Sequence, residues 1–262
     1  MKLTEEMLKE VSQKFRAVRY EETLVLIRRY FEIASEEKQI DAQCYLYYIA
    51  TQIHVNMANE MEVQKLFEHY EKLIHHSISP LEQLKFKHML AVVQLIQHHQ
   101  YDEAKQILFQ LLKNMEDQQF VMDYPNIYIS IYANLMECFI HLEEGDEIVA
   151  HYNRIDRIYV HKLLHLDATI YFSIHSILAQ HYIEQNQLIT AEMIVEDCLS
   201  LPEIEDNDKY KGTFLILNSI LYALRNDYQM SNALYEEAMT LVSTNVSRRI
   251  LNELSNVFAQ YL

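Results

Sequence analysis

An all-α solenoid is the fold that this chain predicts, and three observations predict it. The first is a shortage of turn residues: two glycines and three prolines in 262 residues, against usual frequencies of roughly 7% and 5%. Sandwiches, propellers and doubly wound sheets need far more turns than that composition supports. The second is that apolar residues recur at helical spacing almost throughout, and no alternating run is bounded by turn signals. The third is a recurring segment of about forty residues, the mark of stacked helical hairpins.

The recurrence is clearest in "HHQYDEAKQILFQLL", "QNQLITAEMIVEDCLSLP" and "RNDYQMSNALYEEAMTLV". In each, a polar turn leads into a large residue (Tyr101, Leu188, Tyr228). A small residue follows three positions on (Ala104, Ala191, Ser231), and a bulky one four further (Leu108, Val195, Tyr235). Those offsets place the three on one helical face, with the small residue admitting a close neighbour. Weaker copies anchor at Thr23, Val63 and Ala150, giving spacings of 40, 41, 46, 41 and 40 residues. Twelve residues before the clear anchors stand Val92, Ala179 and Ser219, on the preceding helices.

Punctuation supports the hairpins. In "SISPLEQLKF", Ser79 is placed as an N-cap, Pro80 at the first helical position and Glu82 three after the cap, a capping box. Pro125 and Pro202 fall between hairpins. The extra length between Ala150 and Ala191 falls in "RIDRIYVHKLLHLD", read as a longer second helix or a short additional one. "VSRRILNELSNVFAQYL" is a lone amphipathic helix suited to capping a solenoid end. With no linker or low-complexity stretch, residues 1–262 are expected to form one domain.

This grammar resembles the tetratricopeptide (TPR-like) superfamily in its degenerate, longer-helix branch, with the Tyr, small, bulky-aromatic order in the second helices. The resemblance implies a right-handed solenoid of about six TPR-like helical hairpins. Repeat length, acidity and first helices rich in Tyr, Asn and Gln further resemble the peptide-binding repeat domain of Rgg, PlcR, Rap and AimR-type quorum-sensing regulators of bacteria. The chain departs from that group because its repeats begin almost at Met1, which leaves no room for a helix-turn-helix domain.

Function classes are narrowed by exclusion. Gly145 and Gly212 cannot supply the paired glycines of a phosphate loop or dinucleotide fingerprint. A formal charge of −16, from 22 basic and 38 acidic residues, repels a phosphate backbone, and the Arg pairs 28–29 and 248–249 read as solvated faces. No apolar run approaches the roughly 20 residues that span a bilayer, and the N-terminus lacks a signal core, so a cytoplasmic protein without membrane contact is expected. Cys44, Cys138 and Cys198 are far apart and read as core residues. His161 and His165 lie four apart on one helical face but lack a nameable third ligand, so no metal and no cofactor are expected. His75, His76, His98 and His99 fall at helix C-termini, where the dipole favours them.

No Ser-His-Asp or Cys-His frame is recognisable, so the expectation is a non-enzymatic regulatory protein holding a peptide or protein segment in a concave groove. The groove stripe of the first helices is read as Tyr48, Gln52, Asn56, then Met89 and Val93, then Tyr132, then Ser176, Gln180 and Glu184. Tyr and Gln there suit a peptide backbone, although a tyrosine stripe at helical spacing also describes a core. The other reading is a structural scaffold whose groove is filled by its own chain or by a second copy, making a homodimer.

Overall fold

The computed structural model describes residues 2–17, 19–57, 59–115, 121, 123–155, 162, 164, 167–245 and 259. Among them the fold is all-α, an array of twelve α-helices without strands, as a solenoid requires. The chain divides into two compact units, Met1–Asn114 and Met115–Leu262.

The first unit holds three hairpins: α1 (Glu5–Arg16) with α2 (Tyr20–Glu36), α3 (Ile40–Asn56) with α4 (Glu60–Ile74), and α5 (Pro80–Ile96) with α6 (Tyr101–Asn114). The second unit repeats the plan with α7 (Pro125–His141) and α8 (Gly145–Arg154), α9 (Ala168–Glu184) and α10 (Leu188–Leu199), and α11 (Asp208–Leu224) and α12 (Tyr228–Asn245). A 3₁₀ turn, Pro202–Ile204, precedes α11. Within each unit every first helix packs on its own second helix and on the first helix of the next hairpin. The segment read as a capping helix, and most of 154–167, lie outside the described residues.

The two helices of a hairpin have different jobs. First helices after α1, which buries only Val11, are buried around most of their circumference: α3 buries Gln43, Cys44, Leu46, Tyr48, Ile49, Ala50, Thr51, Ile53 and Val55. Second helices bury one stripe, as α10 does with Ala191, Val195 and Cys198. A helix that is apolar all round must lie inside, and an amphipathic one covers it. Each unit therefore has its core along the first helices, around Leu46, Ile53 and Met89 in one and around Phe172, Phe214 and Ile216 in the other.

The structure corrects one anchor. Thr23, Val63, Ala104, Ala191 and Ser231 are all fully buried at the fourth position of their helices, but Ala150 is only half-buried. Its place is taken by Ile148, four after the N-cap Glu144. With Ile148 the spacings become 40, 41, 44, 43 and 40. The residue twelve before each anchor is buried in all six hairpins: Val11, Thr51, Val92, Met136, Ala179 and Ser219. In the last hairpin the two meet, with Ser219 Oγ donating to the Ser231 carbonyl at 2.7 Å. The small anchor expected near position 150 was missed because this pair is bulky, Met136 with Ile148.

The first position of α8 is Gly145, where the clear repeats carry Tyr or Leu. A Cβ there would lie 2.9 Å from Cε1 of buried His181 on α9. Glycine leaves that volume to the imidazole ring.

The same turn recurs because one backbone solution recurs. After α2, α7, α9 and α11 the chain closes a Schellman motif with Lys38, Glu143, Asn186 and Asn226 at φ between 54° and 62°. The following amide reaches back five residues, for example Asp227 N to Tyr222 O at 3.0 Å. That following residue directly precedes the next helix, so three residues turn the chain. Glycine normally fills this left-handed position, and none of the five positive-φ residues here is glycine. Replacing Lys38 by Gly should stabilise the fold by about 1 kcal/mol, because it removes the Cβ clash. Asn226→Gly should gain only a few tenths, since Asn tolerates the left-handed region. Urea melts of the two variants check this, and equal gains would contradict it.

The capping box before α5 is half made. Ser79 Oγ accepts from Glu82 N at 3.4 Å, but the Glu82 carboxylate turns inward to Lys85.

Candidate functional site on the first helices

In the first unit the forty-residue period brings like positions of α3 and α5 together: Tyr48 Oη lies 3.1 Å from His88 Nδ1, and Lys85 Nζ sits 4.6 Å above the Tyr45 ring. Burial depresses the His88 pKa to about 4, so the ring is neutral and can accept. Gln52 Nε2 donates to Tyr48 Oη at 3.2 Å. Tyr48 Oη thus bridges Gln52 on its own helix and His88 on α5.

Beside this bridge, Lys85 Nζ donates to Glu82 Oε1 at 2.6 Å, and both side chains are almost wholly buried. The other oxygen, Glu82 Oε2, is buried without a hydrogen-bond partner. Burial raises the Glu82 pKa, Lys85 opposes that rise, and Asp41 adds to it. A buried ion pair with an orphaned oxygen gives little stability over an apolar pair, because desolvation consumes the Coulombic gain.

Of the expected groove residues, Tyr48 is 7% exposed and Tyr132 is 8% exposed, so both pack in the core. Met89 and Val93 are buried as well. Asn56 is half-buried and donates to Tyr20 Oη on α2 at 3.1 Å. Tyr132 accepts from Tyr128 at 3.3 Å, one helical turn away. On α9 the expected row is open to solvent to a greater degree: Ser176 and Gln180 are half-buried and Glu184 is exposed. Ser176 Oγ donates to the Ser173 carbonyl and Gln180 Nε2 to Glu184 Oε1 at 3.0 Å, so these bonds stay within the helix. Tyr48, Gln52 and Asn56 thus share α3, and Ser176, Gln180 and Glu184 share α9.

Sequence reading missed Glu82, Lys85, His88 and Tyr45. Their signal was present: "EQLKFKH" places Glu82, Lys85 and His88 three apart along one face, and Lys85 and His88 each follow a tyrosine by forty residues.

Histidines and thiols give little chemistry elsewhere. Among the described residues no three His, Cys, Asp or Glu side chains gather to hold a metal ion; His161 and His165 lie outside those residues. Cys44, Cys138 and Cys198 are buried thiols outside any disulfide, and burial pushes Cys44 and Cys198 up to about 12. Native protein should therefore resist a disulfide thiol reagent, with three thiols released only on unfolding. Rapid labelling of any one under native conditions would count against these buried positions. Among the described residues no helix is long and apolar enough to cross a membrane.

A solved structure described as BtubC (BKLC) from P. vanneervenii is similar to this chain, with a TM-score of 0.58 at 14% identity over 91% of each chain. Similarity at that identity shows a shared helical architecture. No family model matches the chain, and no curated protein matches it.

Proposed function

We propose that this is a non-enzymatic binding protein that holds an extended segment of a peptide or protein partner against its first helices. One observation carries the reading. Ser176, Gln180 and Glu184 form a polar row along one face of α9, and their hydrogen bonds do not tie that helix to a neighbour. Side-chain amides and carboxylates in such a row can exchange those internal bonds for the N–H and C=O groups of an extended ligand. The net charge of −16 favours a protein or peptide over nucleic acid. We extend the reading, on the resemblance of repeat grammar alone, to a degenerate TPR-like regulator of the quorum-sensing kind acting in the cytoplasm.

A scaffold role is favoured by a different observation, the burial of Tyr48 and Tyr132: aromatic residues on the first helices already fill space inside each unit. Mass spectrometry of the denatured native protein separates the two readings. A stoichiometric co-purified peptide, lost in Gln180→Ala with Glu184→Ala, supports the binding role. A ligand-free dimer that persists on dilution would replace it with the scaffold.

A further inference from the structure

Half of the exposed large apolar side chains among the described residues stand on the last two hairpins: Ile189, Met193, Leu224, Tyr228 and Met230, against Val25, Met61, Ile78, Phe109 and Tyr124 in the rest. Ile189 is 74% exposed, Met193 61% and Tyr228 53%. Isolated apolar residues at a surface are ordinary, but clustered ones mark contact surfaces. These are clustered by a specific bond. Arg225, between Leu224 and Tyr228, makes a two-pronged ion pair with both carboxylate oxygens of Glu192, which stands on α10 between Ile189 and Met193. The α10 residues and the turn residues of the last hairpin therefore form one edge of the second unit.

A second pattern lies next to the apolar one. On α10 the exposed Ile189 and Met193 are followed on the same face by exposed Glu196 and Asp197. On α12 exposed Tyr228 and Met230 are followed by exposed Glu236 and Glu237. On α12 Met230, seven before Glu237, shares its face. Glu236 and Glu237 stand forty residues after Glu196 and Asp197, so consecutive second helices repeat one exposed acidic pair. The second helices of the first unit do not: Arg28 and Arg29 follow Val25, and Lys65 with Glu68 follow Met61. From Asn186 to Thr240 there are ten acidic residues and three basic ones. All three cations are engaged: Lys211 with Glu205, Arg225 with Glu192, and Lys209 over the Tyr210 ring.

We infer that this edge of the last two hairpins docks a cationic amphipathic helix of a partner protein, whose apolar side chains rest on Ile189, Met193 and Met230 while its Lys or Arg residues meet Glu196, Asp197, Glu236 and Glu237. Charge decides the occupant. A second copy docking through the same edge would bring acid against acid, and an anionic lipid surface would be repelled. Methionine at the contact suits a helix whose exact side chains vary, because its thioether chain adapts to irregular partners. The surface uses second helices and turns, and is independent of the first-helix reading above.

The test uses the full chain and a fluorescent eighteen-residue amphipathic peptide of Leu and Lys, with a Leu and Glu peptide as control. Saturable one-to-one binding of the Leu and Lys peptide is expected, weakened by added salt and absent for the control. Ile189→Ser with Met193→Ser should weaken it by at least about tenfold, and Glu196→Lys with Asp197→Lys by a similar factor. Met61→Ser, an exposed apolar site in the first unit, should leave it unchanged, and circular dichroism should show all variants equally folded. No binding by the unaltered chain, equal binding by all variants, or a dimer dissolved by the Ile189 and Met193 substitutions would each overturn the proposal. The last result would assign the edge to a second copy.

Discussion

Lys85→Met is expected to destabilise the protein by about 3–5 kcal/mol at neutral pH, because it strands the buried Glu82 carboxylate without its cation. The double variant Lys85→Met with Glu82→Gln should recover most of that loss, since an amide carries no charge to desolvate. The pH dependence follows from the raised pKa of Glu82. A carboxyl that binds its proton more tightly when folded favours the folded state at low pH. That contribution is fully present below the unfolded value, about 4.3, and is lost as pH rises through the higher folded value. Removing Lys85 removes the main influence opposing the rise, so the window widens upward. Urea denaturation at pH 5 and pH 7 reads both effects: the Lys85→Met deficit should be smaller at pH 5. A deficit below about 1 kcal/mol at both would mean that the pair is effectively solvated.

Tyr48→Ala is expected to cost about 3–5 kcal/mol of stability, as for other large aromatic truncations in a core, and Gln180→Ala less than about 0.5. Both residues stand on the expected groove stripe, so the contrast separates its buried part from its accessible part. Tyr48→Ala removes the ring and the hydroxyl bridge between Gln52 and His88. Gln180→Ala removes one bond within α9. Thermal and urea melts of the two variants decide the matter. A mild Tyr48 variant would return that side chain to the groove, and a severe Gln180 variant would take the α9 row away from any ligand.

The hairpins were legible in sequence because their marks are local. Helical spacing, a small residue at the fourth position and a polar turn all lie within one helix length, so Ala104, Ala191 and Ser231 stand out in the sequence itself. The anchor at Ile148 was not, because neither Ile148 nor Met136 twelve before it is small. The groove was less legible for a physical reason. A stripe at helical spacing shows which residues share a face, but not whether that face meets solvent or the next first helix. Tyr48 and Tyr132 meet protein, while Ser176, Gln180 and Glu184 keep some access to water. The Glu82 and Lys85 pair needed the period applied across hairpins, to charged residues set among apolar ones.

The paired sites twelve residues apart carry a consequence for how such a chain can change. They run from Ala179 with Ala191, through Ser219 with Ser231 and Val92 with Ala104, to Met136 with Ile148. The side chains at a helix crossing help set the distance between the two axes. A hairpin cut from one position and inserted at another would therefore bring the spacing of its old neighbours with it. The repeats share a plan yet are not spare parts for one another. Duplication or loss of one hairpin would have to be followed by resizing of the pairs on either side before the array could close again.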